Sequence, residues 1–119
     1  MNINIEHAEM VKALVKSGQA ILQSLDGQKA DLIHATIGIS GEAGELLDAV
    51  KKHVIYEREL DRANIIEELG DLEFYMEQLR RNQGITREET LEANMKKLAK
   101  RYADYKYTNQ RASERADKQ

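Results

Sequence analysis

Apolar residues recur at spacings of three, four and seven along most of this chain, and no proline interrupts them. That period matches the 3.6-residue turn of an amphipathic helix and excludes the strict alternation of half-buried strands. From Ile5 to about Leu25 the stripe is Ile5, Ala8, Val11, Leu14, Val15, Ile21, Leu22 and Leu25. A second segment, from about Lys29 to His53, carries Leu32, Ile33, Ile37, Ala43, Leu46, Leu47 and Val50. A third, from about Arg62 to Gln83, carries Ile65, Ile66, Leu69, Leu72, Met76 and Leu79. Thr86 opens a fourth, with Glu89 at capping-box spacing and Leu91, Met95, Leu98 and Tyr102 as its stripe. Asp26-Gly27 reads as a turn, Val54 to Arg62 as a charged loop, and Gly84 as a helix C-cap. The expected fold is all-α and four-helix bundle-like. It forms one domain over residues 1–107, followed by a polar, flexible tail over 108–119.

The composition narrows the function classes. A chain of 119 residues has room for one modest core. With no Cys there is no disulfide framework and no thiolate metal site, which fits a reducing cytoplasm. No apolar run approaches the ~20 residues of a membrane span, and Glu6 and Glu9 stand where a signal peptide would be basic and then apolar. A net charge of -3 provides no basic field for nucleic acid. The expectation is a cytoplasmic protein with no membrane or nucleic-acid partner, in which any anionic substrate is received locally.

Two acidic signatures carry the chemistry: Glu42-Ala43-Gly44-Glu45 and Glu68-Leu69-Gly70-Asp71. Carboxylates three residues apart leave a helix from one face, about one turn apart. If the second and third helices pack side by side, two such pairs offer four oxygen ligands to one point. A hard cation such as Mg²⁺ accepts that donor set. The plain alternative is a solvated acidic face, since Glu6/Glu9 and Glu89/Glu92 repeat the spacing. What distinguishes the two central pairs is that each lies in an apolar segment and encloses a glycine. Mid-helix glycine costs up to about 1 kcal/mol relative to alanine, which suggests a close approach to the backbone there. Gly38, Gly41 and Gly44 form a row on the second helix, read as tight helix packing.

The series Gly41-Glu42-Ala43-Gly44-Glu45-Leu46, Glu67-Glu68-Leu69-Gly70-Asp71-Leu72 and Asn94-x-x-Lys97-Leu98-x-x-Arg101-Tyr102 resembles the MazG-like nucleoside triphosphate pyrophosphohydrolases. Their superfamily also holds the dimeric dUTPases, the dCTP pyrophosphatases and the phosphoribosyl-ATP pyrophosphohydrolase HisE. The resemblance runs from about Leu32 to Tyr102. It implies that Glu42, Glu45, Glu68 and Asp71 ligate Mg²⁺, with Mn²⁺ as a substitute, and act through a metal-activated water. It further implies hydrolysis of a (deoxy)nucleoside triphosphate to the monophosphate and pyrophosphate, in nucleotide-pool house-cleaning, by a homodimer or homotetramer. Asn94, Lys97 and Arg101 are similar to the family's phosphate-contacting residues. Tyr75 and His34 are candidates for a base or sugar contact, although core packing is the favoured reading for Tyr75 and a half-buried structural role for His34. Two alternatives stay open: a HisE-like phosphoribosyl-ATP activity, and a non-catalytic helical oligomerisation module.

Overall fold

The computed structural model describes residues 1–118. Six α-helices follow one another: α1 (Ile3–Leu14), α2 (Gly18–Ser24), α3 (Gly27–Val54), α4 (Arg62–Gln83), α5 (Arg87–Arg101) and α6 (Asn109–Glu114). A 3₁₀ turn over Ala116–Lys118 closes the described chain. The fold is all-α, as the apolar period requires.

Each α-helix begins on a residue whose side chain accepts a backbone N–H of the first turn: Asn2, Ser17, Asp26, Asp61, Thr86 and Thr108. These short polar side chains satisfy donors that the helix itself leaves open. Thr86 and Glu89 close a full capping box. Gly84 ends α4 at φ 65°, in the left-handed region where a Cβ is unwelcome.

Two segments depart from the sequence-based expectation. The first stripe is not one helix. Ser17 takes the cap role, its hydroxyl accepting from the Ala20 N–H at 3.1 Å, and Val15 turns extended, so α1 and α2 are separate. A local side-chain bond has outcompeted helix continuation there. The tail expected to fray instead forms α6 and the 3₁₀ turn, and both pack against α5.

Among the described residues the one extensive helix-to-helix contact is the α3/α4 hairpin. Its seam on α3 is Leu32, Ala35, Gly38, Ile39, Glu42, Leu46 and Ala49. On α4 it is Ile65, Glu68, Leu72, Tyr75, Met76 and Leu79. The spacing of three and four is that of two helices packed along their length. Near the open end, the Asn82 side chain donates to the Gln28 carbonyl at 3.2 Å. At the loop, the His53 ring holds the Arg58 carbonyl at 2.8 Å.

Within a single chain the bundle stays open. Only Ala35 and Ala49 are fully buried among the described residues. Ile33, Ile37, Leu47, Ile66 and Leu69, all in the predicted stripes, stand on outer faces and remain exposed, as do the apolar residues of α1. The radius of gyration is 20.4 Å, against about 13.5 Å for a compact domain of this length.

Candidate metal centre

Glu42 and Glu68 occupy seam positions, where an apolar helix pair would carry Leu or Ala. Asp71, one turn beyond Glu68, turns toward the same point. One carboxylate oxygen from each of Glu42, Glu68 and Asp71 can be chosen so that all lie within 4.8 Å of one another. The hairpin supplies this convergence: neither helix brings more than two of the three.

Electrostatics at this point are unfavourable without a cation. The Oε2 of Glu68 is withdrawn from solvent and has no hydrogen-bond partner. The Glu68 carboxyl is pushed up to about 7, first by its hydrogen bond with Glu42, then by desolvation, then by the negative charges of Glu42, Asp71 and Glu45. Among the described residues no Lys or Arg forms an ion pair with any of these carboxylates, whereas Asp48, Glu73, Glu77, Asp104 and Asp117 each have a basic partner.

Of the four carboxylates expected from sequence, the structure gathers three. Glu45 is exposed and outside the cluster, although close enough for its charge to act on Glu68. Asn94, Lys97 and Arg101 are not assembled with the carboxylates through any extensive packing, because α5 packs on the tail rather than on the hairpin. Arg101 instead meets Asp117.

His34 and Tyr75 do come together. Their rings meet edge to face at 5.9 Å, and the Gln78 amide nitrogen lies 3.4 Å from His34 Nδ1. Tyr75 lies flat against α3 at Gly38, where any Cβ would collide with the ring. Gly38 is therefore a packing residue, as the glycine row suggested. Gly41, Gly44 and Gly70 differ: nothing within this chain approaches them. Gln78 was missed from sequence, although it stands seven residues after Asp71 on the same face of α4. Asp117 was also missed, since nothing local marks a tail residue that folds back across 16 positions.

An all-α chain whose two longest helices converge carboxylates, with no cysteine in the sequence, presents a hard oxygen donor set of the kind a divalent cation accepts. The family model described as MazG nucleotide pyrophosphohydrolase domain matches residues 32–105, well over half of the chain, and the chain belongs to that family. Comparison with curated proteins and with solved structures finds no match.

Proposed function

We propose that this protein hydrolyses nucleoside or deoxynucleoside triphosphates to the monophosphate and pyrophosphate, clearing unwanted nucleotides from the cytoplasmic pool. The observation that supports this most is the Glu42/Glu68/Asp71 cluster, with an inner Glu68 oxygen that is withdrawn from solvent and has no hydrogen-bond partner among the described residues. Mg²⁺ or Mn²⁺ fits that donor set, because all three ligands are hard oxygens and a cation can stand where Glu68 otherwise keeps a proton. When bound, the ion supplies charge neutralisation at the phosphates and a water of lowered pKa.

The chain's own residues do the rest. Glu42, Glu68 and Asp71 hold the ion, and Glu45 completes the set by rotating in from the surface. Asn94, Lys97 and Arg101 bind and orient the triphosphate, Lys97 as a point charge and Arg101 as a planar fork. His34 and the exposed edge of Tyr75, one to two turns along the hairpin, border the base or sugar.

A second copy of the chain completes this site. The accessible surface is 9903 Å², about 3,300 Å² more than a folded monomer of this mass exposes. An excess of that size is what a large obligate interface covers. The exposed outer stripes of α3 and α4 and the exposed apolar residues of α1 and α2 supply its apolar part, and α5 of one copy can then reach the hairpin of another. The assembly is a homodimer or homotetramer.

Pyrophosphate release across a panel of nucleoside triphosphates and phosphoribosyl-ATP, with Mg²⁺ and with EDTA, tests the reading. Metal-dependent release from at least one nucleoside triphosphate is expected. Release only from phosphoribosyl-ATP points to the HisE-like alternative, and no release at all points to the oligomerisation module. Light scattering that showed an active monomer would remove the second copy from the site.

A further inference from the structure

Residues beyond the matched domain are tied back to α5 at Arg101. Arg101 Nε donates to Asp117 Oδ1 at 2.9 Å, and Nη2 lies 2.8 Å from the same oxygen. The two side chains are only 16% and 7% exposed, whereas the carboxylates of the other ion pairs are at least half exposed. Of these pairs, this is the one withdrawn from water on both sides.

The tail is shaped to deliver Asp117 to that place. Arg111 of α6 pairs with Asp104 and donates to the Lys106 carbonyl at 3.0 Å, which pins α6 to the turn after α5. The chain bends at Tyr105 (φ 58°) and again at Arg115 (φ 48°), both non-glycine residues in the left-handed region. The Lys118 N–H then donates to the Arg115 carbonyl at 2.8 Å and closes the 3₁₀ turn that carries Asp117. A frayed tail would not hold two such bends. Arg101 is held more firmly protonated, first by the Asp117 hydrogen bond and against the effect of burial. Burial acts most strongly on the Asp117 carboxyl and would raise it, but the Arg101 hydrogen bond, a backbone hydrogen bond and the charges of Arg101 and Lys118 together hold it low.

We propose that Asp117 is a positioning residue: it grips one edge of the Arg101 guanidinium and fixes the remaining donors for a phosphate of the substrate. Guanidinium has five N–H donors in a rigid fork, so a carboxylate on one edge leaves enough for a bidentate phosphate contact. Arginine loses much rotamer freedom when it clamps a ligand, and a carboxylate behind it removes that loss before the substrate arrives. The tail thereby becomes part of the substrate-binding apparatus. The inference rests on the proposed role of Arg101 at the triphosphate.

The test is a mutant cycle in the full-length protein, with Asp117→Asn, Arg101→Ala and the double variant assayed on the best nucleotide of the panel. Asp117→Asn should lower kcat/KM about tenfold, mostly through KM, and change it less than about twofold when Arg101 is already Ala. Asp117→Glu should recover part of the loss. In ¹⁵N spectra the Arg101 Nε–H signal should exchange slowly in the wild type and fast in Asp117→Asn, a readout that needs no turnover. Equal losses in both backgrounds, or an unchanged KM, overturn the proposal. A wild type that hydrolyses no nucleotide removes the functional reading instead, and the Nε–H signal then still reports whether Asp117 orders Arg101.

Discussion

The α3/α4 hairpin and the α5–tail unit solve the problem of charge in opposite ways. In the hairpin, Glu42, Glu68 and Asp71 are drawn together with no basic ion-pair partner among the described residues, and Glu68 is pushed toward neutrality. In the α5–tail unit, Asp104 and Asp117 each find an arginine of the same chain, and both carboxyls are held low. The α5–tail unit thus pairs both of these carboxylates with arginine, whereas the hairpin gathers like charges with no basic partner among the described residues. Clustered like charges placed on a packing seam are the mark of a site that is complete only with its ligand.

The largest test of this contrast is removal of the seam carboxylates. Glu68→Ala and Asp71→Ala should each abolish pyrophosphate release, by about a thousandfold or more, while far-UV circular dichroism stays near wild type. A comparable loss from Glu73→Ala, which lies outside the cluster, would show that acidity rather than the cluster matters.

Next comes Lys97→Ala, which removes a cation from the phosphates rather than from the metal. The loss of one charge-assisted bond predicts a fall in kcat/KM of about ten- to a hundredfold, by similar factors for every nucleotide. His34→Ala should instead change the ratio between nucleotides. Steady-state kinetics on two purines and two pyrimidines separates the two patterns.

The glycines sharpen the comparison through stability. Gly38→Ala forces the Tyr75 ring off α3 and should destabilise by about 1–3 kcal/mol in urea. Gly44→Ala and Gly70→Ala meet open space in the chain and should each stabilise by about 0.5–1 kcal/mol from helix propensity alone. A loss at Gly44 or Gly70 would reveal a neighbouring copy or a ligand pressed against the acidic pairs.

The smallest expected effect is in pH. In EDTA, Glu68 keeps its proton to about 7 in the folded protein but loses it near its ordinary value of 4.5 when unfolded. The folded state therefore binds more protons between those values, and stability falls as pH rises through that window. Urea midpoints at pH 5 and pH 7.5, at one protein concentration, should show the fall. Saturating Mg²⁺ or Glu68→Gln should flatten it, and a midpoint that rises with pH would contradict the arrangement of charges around Glu68.

Much of this molecule is legible in the chain itself. Local rules suffice for α5 and for the end of α4: Thr86 with its capping box, and Gly84 as the stop, are read from neighbours three or four residues away, whereas the Asp61 cap of α4 came only with the structure. The acidic pairs are legible for the same reason, since i, i+3 spacing fixes a shared helix face. What the sequence could not decide was which apolar stripe turns inward. Ile33 and Ile37 are as apolar as Leu32, yet the seam takes Leu32, Glu42 and Leu46, because the partner helix selects one face and leaves the other exposed. Nor could spacing show that Glu45 would stand outside the cluster, that Tyr75 would need Gly38, or that Asp117 would return to Arg101. Those depend on contacts between residues 16 to 37 positions apart, and only the tertiary structure brings such residues within reach of one another. Short-range hydrogen bonding and periodicity wrote the helices; long-range packing chose their faces and assembled the charges.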